Sequence, residues 1–171
     1  MKGLVENTNS SVLLHEGHEL FFAEPPDYGG AAAAFEKVVS QRPDWAEGHC
    51  WLGITYERLS REEEAEREWL IAIELDSSDS RPIISLGILR LGQKRFEEAI
   101  ALLERGIALK PHYGFADAKL FLADALEGAG NIEGAKSQWR EVLELEPMYP
   151  SYDEPINEAR QKLLMYDRSN S

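Results

Sequence analysis

One landmark recurs four times along the chain: an alanine, three residues, then a large apolar side chain. It stands at Ala31/Phe35, Ala65/Trp69, Ala99/Leu103 and Ala135/Trp139, and the alanines are 34, 34 and 36 residues apart. The loop-forming positions Pro43, Ser77, Pro111 and Pro147 keep the same three intervals. A small residue stands upstream in every copy, at Gly17, Gly53, Gly87 and Ala123. A fixed period of this size marks stacked supersecondary units, none of which can bury its apolar face alone.

The spacing inside each period is helical. Ala65, Trp69 and Ala72, or Ala99, Leu103 and Gly106, fall on one face because residues three and four apart are neighbours on a helix. The prolines close each period, since proline lacks a donor and disfavours helix in the residue before it. The small residue allows two helices to approach closely, and the large residue after each alanine is expected to fill the gap between neighbouring pairs. Two departures from the register fall at connections. From Gly17 to Ala31 is 14 residues where the later copies have 12, and the extra pair falls at Glu24-Pro25-Pro26-Asp27. Pro111 to Ala123 is 12 residues where earlier copies have 10, which places the other insertion near Tyr113-Gly114-Phe115.

These residues resemble the tetratricopeptide repeat, whose signature is Trp-x2-Leu-Gly-x2-Tyr, then Ala-x3-Phe, then Pro. The second copy carries Leu52-Gly53-x2-Tyr56 and Ala65-x3-Trp69, with His49 at the tryptophan position and Ser77 at the proline. The third carries Leu86-Gly87, Ala99, Leu103, Leu109 and Pro111, with Arg90 at the tyrosine. The fourth carries Leu122-Ala123, Ala135, Trp139, Leu145 and Pro147. The first keeps Gly17, Ala31, Phe35 and Pro43. The resemblance implies an all-α fold: a right-handed α-solenoid of four helix-turn-helix repeats over residues 10–45, 46–79, 80–113 and 114–149. Residues 1–9 read as an N-terminal tail, 150–166 as a C-terminal capping helix and 167–171 as a tail. In the cap, Pro155 suits the first turn, and Ile156, Ala159, Leu163 and Leu164 form its apolar face.

Charge narrows the partners. The 171 residues hold 31 acidic and 18 basic side chains, a net charge of −13, which repels phosphate backbones and argues against nucleic acid. A weak preference for neutral or basic partners follows. The lone cysteine, Cys50, excludes an internal disulfide and a Cys-x-x-Cys metal site, and nothing basic beside it in sequence suggests an activated thiol. No apolar run approaches the roughly 18 residues of a membrane span, and the first residues lack a signal-peptide core, so the expected location is cytoplasmic.

The resemblance implies that the first helix of each pair lines a concave groove. Carried over by register, the groove sites in the first repeat are Leu14, His18, Phe21 and Phe22. In the second they are Glu47, Cys50, Ile54, Glu57 and Arg58. The third contributes Arg81, Ile84, Ile88, Leu91 and Gly92, and the fourth Asp117, Leu120, Asp124, Glu127 and Gly128. Trp51 and Phe121 sit one position further round. The middle of this stripe is apolar, which on a chain this polar suggests an interaction site. The family's carboxylate clamp, built from lysines, arginines and asparagines that hold acidic chaperone tails, is missing. The expected function is therefore a protein-interaction adaptor that holds an apolar helix or extended segment. Asp117, Asp124 and Glu127 would favour a basic residue at one end of it. A chaperone for a hydrophobic client and a self-assembling structural array are the alternatives. The groove could also be filled by the chain's own terminal segment, or by a second copy in a homodimer.

Other chemistry is weakly supported. His15-Glu16-Gly17-His18-Glu19 lacks the His-Glu-x-x-His spacing of zinc proteases and offers no third ligand. The run from Arg61 to Glu68 reads as a solvated helix face. No phosphate-binding glycine loop or strand pattern is present, so neither a cofactor nor an enzymatic role is expected.

Overall fold

The computed structural model describes residues 2–109, 115–145 and 153–168, with backbone alone for 2–8. Pro111, Pro147 and the Tyr113-Gly114 insertion lie outside the described residues. The helices are α1 (Lys2–Phe21), α2 (Tyr28–Gln41), α3 (Ala46–Arg58), α4 (Glu62–Leu75), α5 (Ser80–Gly92), α6 (Phe96–Ala108), α7 (Phe115–Gly128), α8 (Ile132–Leu143) and α9 (Asp153–Arg168). No strand occurs among the described residues. Two boundary expectations need correction. Residues 2–9, read as a tail, are the start of α1, and Asp167 and Arg168 belong to α9 rather than to a C-terminal tail.

The chain forms two compact units, Met1–Ser85 and Leu86–Ser171, here called the N-terminal and C-terminal bodies. In the N-terminal body α1 packs on α2, α2 on α3 and α3 on α4. Phe35, Val38, Leu52, Ala65, Trp69 and Ile83 are its buried centre. In the C-terminal body α6 packs on α7, α7 on α8, and α9 on both α7 and α8. Ala99, Leu103, Ala123, Ala135, Trp139, Val142 and Ala159 are fully enclosed there.

The small residues give the close approach expected of them. A Cβ placed on Gly53 would sit 2.5 Å from the indole of Trp69, and one on Gly17 would sit 2.4 Å from the ring of Phe35. Phe35 and Trp69 therefore seat themselves on the glycine of their own helix pair, and Phe35 also reaches Trp51 of the next. That close approach is what holds the two helices of a pair at short range.

Turns inside the pairs also keep the register. Ser60, Lys94 and Gly130 all have positive φ, at 59°, 59° and 82°. Behind each, an amide reaches back to the preceding helix: Arg61 N to Tyr56 O at 2.8 Å, Arg95 N to Arg90 O at 2.9 Å, and Asn131 N to Leu126 O at 2.8 Å. This is the left-handed helix stop that glycine favours, and only the last turn uses glycine. The first pair instead turns through residues 22–27, where the two inserted residues lie, and Asp27 caps α2 by accepting from Gly30 N at 2.8 Å.

Candidate partner-binding site

In the N-terminal body the stripe is centred on Trp51. His18 lies edge-on to it at 4.5 Å between ring centroids, Phe21 at 5.6 Å and Phe22 at 5.8 Å, while Phe35 stacks beneath at 6.2 Å. The guanidinium of Arg81 lies 5.8 Å from the Trp51 ring and is held in place by two bonds to Asp79, from Nε at 3.1 Å and Nη2 at 2.7 Å. Phe22 is 66 % exposed, an unusual position for a phenylalanine. Ile54 and Ile84 are half-buried. His18 Nε2 and Trp51 Nε1 are buried atoms without a hydrogen-bond partner. Burial holds the His18 imidazole below its ordinary range; Glu47 opposes this, and His15 and Arg81 reinforce it.

Three predicted contact residues are core instead. Cys50 has no exposed surface, so it is not a partner contact. Burial pushes its thiol up to about 12, which leaves it unreactive at neutral pH. Leu14 and Phe21 are 9 % and 8 % exposed and serve mainly to pack α1.

The C-terminal body differs. Ile88 and Leu91 are half-buried on the last turns of α5. Leu120 is 7 % exposed and belongs to the core. Asp124 and Glu127, expected to greet a basic residue of a partner, are engaged by the chain itself. Lys162 of α9 lies 2.6 Å from Glu127 Oε2 and 3.5 Å from Asp124 Oδ1. Tyr166 donates its hydroxyl to Glu127 at 2.6 Å and stacks on Trp139 at 5.7 Å. Desolvation raises the Asp124 carboxyl despite Lys162. For Glu127 desolvation is also the largest influence, yet the bonds from Lys162 and Tyr166 outweigh it and hold the carboxyl low. This acidic end is thus occupied by the terminal helix.

Four residues before Gly53 and Ala123 respectively, two buried basic side chains reach across to the second helix of their pair. His49, 6 % exposed, places Nδ1 2.6 Å from Glu68 Oε2 and Nε2 3.1 Å from the Pro43 carbonyl. Lys119, 8 % exposed, binds Glu141. Glu68 is therefore not part of a wholly solvated face, as the charge run from Arg61 suggested. In the third repeat Arg90, at the tyrosine position, is 7 % exposed and reaches Gln93 at 3.0 Å and Glu98 at 3.6 Å. No group of three or more His, Cys, Asp or Glu side chains among the described residues could hold a metal ion. No described helix is long and apolar enough to cross a membrane.

Family models described as tetratricopeptide repeat match residues 27–80 and 90–154. The chain belongs to the tetratricopeptide repeat family. Tetratricopeptide arrays are in general interaction modules and scaffolds rather than enzymes, and protein–protein interaction is the function class here. No curated protein sequence matches the chain. Among solved structures it is similar to MamA, at 24 % identity and a TM-score of 0.70 over 82 % of this chain and 74 % of that one. It is similar to PilF of Pseudomonas aeruginosa, at 19 % identity and a TM-score of 0.77 over 94 % and 72 %. It is also similar to the first tetratricopeptide domain of Spaghetti (RPAP3) bound to the HSP90 peptide SRMEEVD, at 22 % identity and a TM-score of 0.65 over 72 % and 94 %. At these identities the tetratricopeptide fold is what is shared.

Proposed function

We propose that this protein is an adaptor whose N-terminal body holds an apolar segment of a partner protein against α1, α3 and the start of α5. The observation that carries this is the Trp51 cluster: Phe22 stands 66 % exposed beside it, with Ile54 and Ile84 half-open on the neighbouring turns. Apolar surface grouped in this way is stabilised by covering it, at about 25 cal/mol for each Å² removed from water. An acidic peptide such as the SRMEEVD held by the Spaghetti domain would suit this chain poorly. Its net charge is −13, and Arg81, the cation beside the Trp51 ring, is already bound by Asp79. A basic anchor at Asp124 and Glu127 is withdrawn from the proposal, because Lys162 takes that role.

The test is capture of partners from native lysate by the wild type and by an Ile54→Asp/Ile84→Asp variant checked for helical content. A protein recovered with the wild type and lost with the variant supports the site. The same protein recovered with both removes the site from the N-terminal body. A client that reaches the chain only before it has folded would turn the reading toward the chaperone alternative.

A further inference from the structure

His49 stands where the family's repeat carries a packing tryptophan, and the proposed binding face makes no use of it. It is enclosed, with 6 % of its surface exposed, and both ring nitrogens have partners. Those partners are an unusual pair. The Pro43 carbonyl only accepts, and an ionised Glu68 carboxylate only accepts. A neutral imidazole carries one N–H and can serve one of them. Serving both takes one further proton, held as an imidazolium or as a carboxylic acid donating to Nδ1. In either form the site as built contains one proton more than a neutral histidine beside a carboxylate.

We propose that His49, Glu68 and the Pro43 carbonyl form a proton-operated staple, closed while the extra proton is present and released as pH rises. Closed, it ties three segments of the N-terminal body together: α3 through His49, α4 through Glu68, and the connector 42–45 through Pro43. Released, one acceptor loses its donor inside the fold, an arrangement that destabilises it.

The surroundings leave the proton few other places to go. From α4, Glu68 is the charge that bears on His49. From α2, Glu36 is occupied by the Tyr56 hydroxyl of α3 at 2.9 Å. Arg61 lies over the Tyr56 ring at 4.1 Å and pairs with Glu64 at 2.8 Å. In the connector, Arg42 and Asp44 face each other at 3.4 Å. Burial by itself drives the proton off His49, but the bond to Glu68, the bond to Pro43 and the charge of Glu68 outweigh it and hold the imidazole above its ordinary 6.5. A raised folded value means that the staple's stabilisation is complete below about pH 6.5 and is lost as pH climbs through the higher folded value. The switch therefore acts on the alkaline side of 6.5. Because α3 also carries Trp51 and Ile54, seating of α3 would link the staple to the proposed binding face. That link rests on the proposed function, whereas the staple does not.

The experiment is a pH titration of the full chain by NMR, following the side-chain signals of the four histidines and the backbone amides of Trp45 and Gly48. The expected result is a His49 midpoint above 6.5, with the Trp45 and Gly48 amides shifting at the same midpoint. Glu68→Gln is expected to drop the His49 midpoint below 6.5, because burial then acts with less opposition. Glu36→Gln, which leaves the staple intact, is expected to leave the midpoint in place. A wild-type His49 midpoint at or below 6.5 overturns the staple, and so do Trp45 and Gly48 amides that ignore it. The wild-type titration decides the matter even where Glu68→Gln does not fold. None of these readouts involves a partner, so failure of the staple is distinguishable from failure of the binding face.

Discussion

At the same register, four residues before the small residue of its repeat, the N-terminal body carries His49 and the C-terminal body carries Lys119. Each crosses to a carboxylate on the second helix of its pair, Glu68 in one and Glu141 in the other. The architecture of the contact is shared and its chemistry is not. Histidine is the side chain whose ordinary charge change falls between about pH 5 and 8, and lysine is not. The surfaces beside these contacts diverge in the same direction. The N-terminal body leaves Phe22 largely exposed beside Trp51, whereas the C-terminal body engages Asp124 and Glu127 with Lys162 of α9. One body is open and proton-sensitive; the other is closed by its own last helix. The comparison teaches that repeats with the same packing scheme can be set to different duties by substituting a few positions around the scheme.

The contrast can be broken most severely at the large residues that both bodies share. Trp69→Ala and Trp139→Ala each remove a fully buried indole and should cost about 3–5 kcal/mol in denaturant unfolding. Only Trp139→Ala should also loosen α9, because Tyr166 stacks on that ring and Lys162 lies 5.6 Å from it. Hydrogen exchange across residues 153–168 reads this directly, and equal loosening in both variants would erase the distinction.

Lys162→Glu should come next. It sets a carboxylate against Asp124 and Glu127, and should raise exchange of the α9 amides by an amount equivalent to about 1–3 kcal/mol. The amides of α1 to α4 should stay as they were.

A reciprocal exchange of the two cations sharpens the comparison without breaking it. His49→Lys should remove the alkaline loss of stability from the N-terminal body, and Lys119→His should import a pH dependence into the C-terminal one. Thermal unfolding at a series of pH values from 6 upward would detect a difference on the order of 1 kcal/mol.

The smallest effects are expected at the turns. Ser60→Gly and Lys94→Gly relieve a left-handed backbone and should each stabilise the fold by about 1 kcal/mol, while Gly130→Ala should cost about as much. Nothing lies within 4 Å of a Cβ at Gly130, so backbone strain alone is measured there.

How far the sequence foretold this molecule depends on which forces set each feature. The helix pairs were legible because Ala31, Ala65, Ala99 and Ala135 mark positions where only a small side chain lets two helices meet. Such steric requirements are written locally and repeat. The turn insertion at Glu24–Asp27 was legible for the same reason. Cys50 was misjudged because register gives the direction in which a side chain leaves its helix, not what the neighbouring helix lays over it. The charges around Cys50 include Arg81 in the first turn of α5 and Asp79 just before it, 31 and 29 positions further along the chain. The sequence offers Asp124 and Glu127 as acids open to a partner, yet Lys162 engages them from a helix whose sequence signal is only its apolar face. The signal for His49 was present as a departure from the family pattern, a histidine standing where tryptophan packs. Its partner Glu68 was hidden in a run of charge that averages to a solvent-facing stretch.

The last helix carries a further consequence. Ala159 follows Ala123 by 36 residues, the same step that separates Ala135 from Ala99, and both Ala123 and Ala159 are fully enclosed. By that count α9 is the first half of a fifth period. It differs at one packing position: Glu158 stands at the place that Leu52, Leu86 and Leu122 hold in their own helices. A charged side chain there keeps that face of α9 in water, where the earlier helices bury a leucine.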